Sequence, residues 1–343
     1  MKKALTGHPN MLKEVNKGLI KSALQRLQTA TRVELCAETK ISQPTVNAII
    51  NELLAENVVI ENGVAKSSGG RKAVLYSLNS KLCYIASIVV EEHELQYAIT
   101  DIDGNIIKDG FIEHENVWSI QELDEQIKEI VSLKKNVRAL AIGVPGAVSK
   151  CGMVSAIPKV ECLEGFQLKK HLEELLDVTV SLSNDINTVA LGYFSEESKS
   201  NKEYACIHIG NTLGAGMIIG GQMVSGAGNF AGEIGFMQTD PEIRTKELSI
   251  KEMGYDDIIL VVSKIMINTI CLINPEVIAI GGKKINADIC GVLRQNCMKA
   301  LPEQMLPEII YIEDERKYYL EGLSKVGVDS MNPAIMLVRQ NNV

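Results

Sequence analysis

The chain is poor in aromatic residues: Phe, Trp and Tyr make up 4% of its 343 residues, with a single Trp. So few rings exclude a stacking platform for single-stranded nucleic acid. No run of about 18 apolar residues occurs, so no membrane span and no membrane partner are expected. Residues 1–9 include Lys2 and Lys3 but no apolar stretch, so no export signal is read there and a cytoplasmic protein is expected. The eight cysteines, at 36, 83, 151, 162, 206, 271, 290 and 297, form no Cys-x-x-Cys pair. They are expected as reduced thiols, packed mostly as small apolar groups.

What is present points to a globular protein of two or three domains: 46% of residues are apolar and 23% charged. The first 80 residues lack Asp altogether. They hold eleven Lys and Arg against six Glu, a net +5, while the remainder holds 24 against 37, a net −13. A basic head on an acidic body suits a polyanionic partner for the head, although solvated surfaces also vary in charge by chance.

Within the head, Leu12, Val15, Leu19, Ala23 and Leu27 fall at helical spacing. Thr31 and Glu34 then form a capping box that opens a helix over 32–39. A tight turn at Lys40-Ile41 leads to Ser42, the expected cap of a third helix that tolerates Pro44 in its first turn. Val46, Ile49, Ile50, Leu53 and Leu54 would face inward, leaving Gln43, Thr45, Asn47 and Asn51 outside. Short helix, turn and second helix is the helix-turn-helix layout, in which Gln and Asn pair with adenine and Thr meets a thymine methyl. An ordinary three-helix bundle with solvated polar residues would show the same pattern. The following residues favour DNA: a strand at 58–60, a hairpin turn at Asn62-Gly63 and a return strand at 73–78. Between them Lys66-Ser67-Ser68-Gly69-Gly70-Arg71-Lys72 reads as a wing, with Gly70, Arg71 and Lys72 placed to approach phosphates or the minor groove.

The body alternates strands and helices. Strands are expected at 84–90, 95–102, 137–144, 178–182, 204–209, 215–219 and 277–280. Helices are expected from Ser119, over 166–176 and over 256–273. A hairpin–helix–strand pattern recurs near 84–144 and 204–280. Several strands end in Gly or Asn-Asp, where open α/β sheets place ligands.

Gly143-Val144-Pro145-Gly146, Ser183-Asn184-Asp185-Ile186-Asn187-Thr188-Val189-Ala190 and Gly228-Asn229-Phe230-Ala231-Gly232-Glu233-Ile234-Gly235 together resemble the ROK family of repressors and sugar kinases, and the resemblance covers nearly the whole chain. It implies an α/β body (residues 81–343) of two lobes in the actin/hexokinase-like ATPase fold. Ser68-Gly69-Gly70-Arg71 likewise resembles the winged helix-turn-helix head (residues 1–80) of the family's repressor branch.

By position alone Asn184-Asp185 is more often a turn or a helix cap than a site. The resemblance implies that Asn184 holds a sugar and that Asp185 contacts it, or is the catalytic base if the chain is a kinase. It also implies sugar hydroxyls on Glu233, with Gly146 and Gly228 as weaker backbone contacts. Three departures separate the chain from the kinases. The phosphate hairpin, Asp-x-Gly-Gly-Thr in the family, holds Val89, Glu91, Glu92 and His93 here, which would repel a triphosphate. A second phosphate loop has Thr212 at a usual Gly, although Gly281-Gly282 remains where the kinases hold adenosine. Phe236 replaces a zinc-ligating His, and residues 237–248 contain no Cys or His. No metal and no cofactor are therefore expected. His208, on an apolar strand, is expected as a satisfied core histidine. Lys159 reads as a solvated lysine, or as a contact to a phosphorylated sugar.

The combination predicts a homodimeric, sugar-responsive transcriptional repressor. It would bind two-fold-related operator DNA through its head and a sugar or sugar phosphate in a non-catalytic body. The alternatives are an ATP-dependent sugar kinase with a DNA-binding head, and a constitutive DNA-binding protein whose body only dimerises.

Overall fold

The computed structural model describes residues 9–65, 72–155, 157, 159–197, 203–239, 243–244 and 246–331. Three helices come first: α1 (Pro9–Leu27), α2 (Arg32–Thr39) and α3 (Gln43–Ala55). The box at the start of α2 forms, with the Thr31 N–H donating to the Glu34 carboxylate at 2.7 Å and the Glu34 N–H to Thr31 Oγ1 at 3.2 Å. Ser42 stands at the N-cap of α3 but does not cap it. Its hydroxyl pairs with Thr45 Oγ1 at 2.9 Å, which offers a side-chain partner in place of the helix amides.

The apolar face of α1 is rotated from the expected one: Ile20, Ala23 and Leu24 are buried, whereas Leu12 and Leu27 are exposed. Lys17 takes an inward position because Glu52 of α3 and Glu56, the C-cap residue of that helix, meet its ammonium at 2.6 and 3.0 Å. β1 (Val59–Val64) pairs antiparallel with β2 (Val74–Leu78). Asn62-Gly63, expected as the hairpin turn, lies inside β1. Gly63 adopts φ +85° where the register shifts, and pairing resumes at Val64 with Val74. Leu53, Val59 and Tyr76 close the core of this unit against the helices. Gly70 and Arg71, expected on a wing, lie outside the described residues; Lys72 is exposed.

The first half of the body comprises β3 (Tyr84–Val90), β4 (Glu94–Asp101), β5 (Ile106–Glu113), α4 (Ile120–Ser132), β6 (Val137–Val144), the small hairpin β7 (Ala147–Val148) and β8 (Val154–Ser155), α5 (Leu168–Leu175), β9 (Thr179–Asn184) and α6 (Asp185–Glu197). The second half comprises β10 (Tyr204–Ile209), β11 (Leu213–Ile219), β12 (Gln222–Met223), α7 (Tyr255–Ile273), β13 (Val277–Gly281), α8 (Ile289–Met298), β14 (Glu308–Tyr311) and α9 (Glu315–Ser330). Each half builds a five-stranded sheet, ordered β5-β4-β3-β6-β9 and β12-β11-β10-β13-β14. The last three strands of each order are parallel, and the first two form antiparallel hairpins with them.

Period-two burial divides each sheet between two cores. Ala86, Ile88 and Val90 of β3 pack with Leu123 and Ile127 of α4 and Leu168 of α5, while Val89 turns to the other sheet. Between the sheets lie α6 and α9, and they are exchanged: α6 packs on β10 and β11 of the second sheet, α9 on β3, β6 and β9 of the first. Their backbones touch. A methyl group at Gly192 would overlap the Tyr318 carbonyl oxygen, and one at Gly322 would overlap that of Thr188. Among the described residues no helix is long and apolar enough to cross a membrane.

Candidate functional site

A cavity of about 320 Å³ opens beside edge strand β9, lined by Ser149, Lys150, Lys169, Asn184, Asn187, Asn229 and Glu233 among others. Asn184 ends β9 and both caps α6 and ties down a loop. Its Oδ1 accepts from the Ile186 and Asn187 N–H groups at 3.1 and 3.4 Å, and its Nδ2 donates to the Gly146 carbonyl at 3.0 Å. Gly146 thus serves the site through Asn184, and its neighbour Ala147 is on the cavity wall. Gly228 is exposed and off the wall; next to it Asn229 lines the cavity and donates from Nδ2 to the Val148 carbonyl at 2.9 Å.

Glu233 reaches the cavity because Gly232, at φ +99°, accepts from the Ala215 N–H at 2.7 Å and lies flush on β11. Burial raises the Glu233 carboxyl above its ordinary range, and Glu247 and Asp185 add to the rise. Asn187 is not among the site residues expected from the sequence. Its Oδ1 is buried with no hydrogen-bond partner among the described residues, an acceptor on the cavity wall. Lys150 and Lys169 add cationic charge at the β7–α5 side, and Lys169 also faces Glu173 at 3.9 Å. These lysines carry no motif by which sequence alone would find them.

Asp185, the next residue, is not on this wall but within electrostatic reach of Glu91, His208, Glu315 and Lys159. Its Oδ1 accepts from the Ile186 N–H at 2.7 Å. Burial raises its carboxyl, against the pull of His208; burial likewise raises Glu91, against Lys159. Of the two acids in the β3–β4 turn, Glu91 is half-buried while Glu92 is exposed beside His93. Val89 is a core residue between the sheets.

His208 is not enclosed in the core as expected. It is partly exposed, and its Nδ1 meets the Glu315 carboxylate at 2.9 and 3.0 Å. Burial would push its imidazole down, but the Glu315 hydrogen bond and charge outweigh it and hold the group above its ordinary value. Glu315 also fills the space at Gly281, where a methyl group would overlap its carboxylate, and Gly282, at φ +119°, rests on the Ile209 carbonyl. The Gly281-Gly282 pair is thus covered by the protein's own atoms. Tyr319 points a buried hydroxyl, unpartnered among the described residues, towards the same charged group. Phe236 stacks at a tilt on Phe230, ring centroids 5.4 Å apart, and Arg244 donates to the Gly235 and Met237 carbonyls. Among the described residues no cluster of three or more His, Cys, Asp or Glu is arranged to hold a metal ion.

On the outer face of the helical unit Gln43 is exposed and Thr45 half-buried. Asn47 and Asn51 lie one turn apart on the same face, and their Oδ1 atoms accept from Arg32 at 3.3 and 2.7 Å. Glu52 is turned away from that face, bound to Lys13 at 2.7 Å and Lys17 at 2.6 Å.

Residues 85–247 match the ROK family. The xylose repressor of Caldicellulosiruptor bescii is 28% identical over 244 residues, which span 67% of this chain and 60% of that protein. A solved ROK family transcriptional regulator, a homologue of the Escherichia coli Mlc protein, superposes with a TM-score of 0.75 at 19% identity, covering 94% of this chain and 98% of that one. The ROK hexokinase of Thermus thermophilus superposes with a TM-score of 0.62 at 14% identity, over 73% of this chain and 99% of the hexokinase. The body has the two-sheet fold of these solved structures.

Proposed function

The chain carries a ROK family domain, and from that premise we propose that it is a sugar-responsive transcriptional repressor whose body binds its effector without phosphorylating it. Residues 1–80 form a winged helix-turn-helix, and residues 81–343 form the effector-binding body. Gln43 and Thr45 enter the major groove at the start of α3, and Lys72, with Gly70 and Arg71, follows the backbone from the wing. One such helix reads too few base pairs for specificity, so a homodimer on paired half-sites is proposed. A similar chain named a xylose repressor supports the repressor reading.

One observation carries the non-catalytic reading. Groups suited to hydroxyls line the cavity beside β9, while Glu91 stands by Asp185 and Glu315 covers Gly281. A polyol finds an amide acceptor, two further amides and a carboxylate; a triphosphate finds fixed negative charge in place of a cradle of amides. Lys150 and Lys169 at the cavity extend the effector class from sugars to sugar phosphates. Closure of the lobes around the ligand would alter the spacing of the paired heads and shift operator affinity, typically by about 1–3 kcal/mol.

A thermal-shift screen of pentoses, hexoses and their phosphates tests this reading, since a ligand of the folded state must stabilise it. The expected outcome is a sugar that raises the melting temperature, changes DNA affinity and yields no ADP above an Asp185→Ala control. ADP formation with that sugar would establish the kinase reading instead. The absence of any stabilising sugar would favour a body that only dimerises.

A further inference from the structure

We propose that Arg32 is a preset phosphate contact of the DNA interface, and that Asn47 and Asn51 are its positioning residues instead of readers of bases. The proposal rests on the reading of residues 1–80 as a DNA-binding head and names a residue that reading did not contain.

Arg32 is the first residue of α2. Its Nε donates to the Tyr76 hydroxyl at 3.1 Å, Nη1 to Asn47 Oδ1 at 3.3 Å and Nη2 to Asn51 Oδ1 at 2.7 Å. Its guanidinium carbon lies 5.1 Å from the centroid of the Tyr76 ring. Three elements therefore grip one side chain: α2 carries it, α3 supplies two amides and β2 supplies the ring. All of these partners are neutral. Lys13 and Lys17 are neutralised by Glu52, with Glu56 on Lys17 as well, and Arg26 by Glu38, whereas no carboxylate pairs with Arg32 among the described residues. The fold thus fixes a full positive charge on its surface without cancelling it.

A guanidinium has five N–H donors in a plane, and three are used, so two remain for an incoming acceptor. A phosphate takes two parallel N–H donors from a fork of this kind. The side-chain entropy of a long arginine is already lost before DNA arrives, so binding does not have to order it. Position selects the phosphate over a base. In a helix-turn-helix the second helix enters the groove by its N-terminal residues, while the first crosses the backbone. Arg32 starts the first of these helices and lies against Asn47 and Asn51, one and two turns beyond Gln43, away from the groove-entering end. Asn47 and Asn51 each hold their Oδ1 on Arg32, which fixes the amides in that orientation, and bidentate pairing with adenine would have to turn them out of it.

The test uses the full chain and a random pool of duplex DNA. Wild-type protein is enriched on the pool to define its motif, and fluorescence anisotropy then measures affinity against salt for the enriched duplex and for a scrambled one. Arg32→Ala is expected to weaken both duplexes roughly tenfold, to lower the salt slope by about one and to leave the enriched motif unchanged. Arg32→Lys keeps the charge but loses the fork, so it should recover the slope and only part of the affinity. Asn47→Ala/Asn51→Ala should weaken binding in the same sequence-independent way. Circular dichroism melts accompany each variant. If Arg32→Ala unfolds the head, Arg32→Gln, which sheds the charge and keeps a donor for Asn51, carries the same expectation. Unchanged affinity and slope would make Arg32 an internal strut, and a motif relaxed at one base pair would make it a base reader; either overturns the proposal. Wild-type protein that enriches no duplex would overturn the DNA-binding reading itself, an outcome distinct from an Arg32 variant that binds like wild type.

Discussion

The two sheets of the body have the same strand order, and each ends in a strand followed by a helix that crosses to the other sheet. The two helix starts are equivalent in the fold yet differ in chemistry. Asn184-Asp185 opens α6 and Asp314-Glu315 opens α9, and in each pair the first side chain accepts from a backbone N–H two residues on, at 3.1 and 3.0 Å. The second residue of each pair, an acid in both, faces the space between the sheets. Glu315 is engaged by His208 and covers Gly281; the carboxylate of Asp185 accepts a hydrogen bond only from the Ile186 N–H among the described residues and is raised by burial. A repeated scaffold thus offers the same place twice, and the neighbouring side chains tie down one acid and leave the other with a single backbone partner among the described residues.

Breaking the junction that relates the halves should have the largest effect. Gly322→Val forces a branched side chain into the Thr188 carbonyl. About 3 kcal/mol of stability should be lost, in a single urea transition for both halves because α6 and α9 are shared. Two separate transitions, with only one displaced, would show that the halves are independent.

A direct contrast of the two acids comes next. Asp185 is off the cavity wall, so it can meet the sugar only when the lobes close on it; Asp185→Asn should then weaken the stabilising sugar tenfold or more, as expected when a charged hydrogen bond worth about 1.5–3 kcal/mol is lost. Glu315→Gln should lower the melting temperature and leave sugar affinity within about threefold. Isothermal titration decides; equal losses would dissolve the distinction between the two acids.

pH sharpens it further. The folded pKa of His208 is raised, so its contribution is fully present below its ordinary 6.5 and is lost as pH rises through the raised value. Asp185 and Glu91 are also raised in the folded state, so the folded form holds their protons longer and stability falls as pH rises from their ordinary 3.8 and 4.5. All three have the same sign. His208→Asn should flatten the decline above pH 6.5, by up to about 1 kcal/mol, in melts at graded pH. A decline unchanged by that substitution would place its origin elsewhere. The smallest effect is expected of Glu91→Gln. Relief of its repulsion with Asp185 should stabilise the fold at pH 8 by less than about 1 kcal/mol, again by melting, and should still produce no ADP from ATP and sugar.

Much of this fold is legible in the sequence where burial is two-sided. The runs at 84–90, 137–144 and 204–209 are apolar but for Ser87, Arg138 and His208, and match β3, β6 and β10 residue for residue. Edge strand β5 lacks that mark, since Ile106, Ile107 and Phe111 face outward on either side of Lys108 and Asp109. Helix α6 was hidden because Asn184-Asp185 looks equally like a turn, and α9 because its buried face is built from Gly322, Ser324 and Gly327 as well as Leu320 and Leu323. In the site, Asn184, Asp185 and Glu233 carry motif signals; Asn229 sat inside one, unused. The partners that divide their roles carry none. His208 meets Glu315 across 107 residues and Arg32 meets Tyr76 across 44, and no local pattern encodes such pairs. Asn62-Gly63 misled because a glycine with positive φ serves a bulge as well as a turn.

The exchange of α6 and α9 also governs how the chain matures on the ribosome. The first sheet is complete by residue 184, but one of its faces stays bare until residues 315–330 emerge, well over a hundred residues later. At about 5–20 residues per second that is a wait of several seconds or more with the apolar inner faces of β3 and β6 uncovered. The amino-terminal unit has its own core and is under no such constraint. A nascent chain therefore presents a finished head on an unfinished body, and the body closes only once residues 315–330 have emerged.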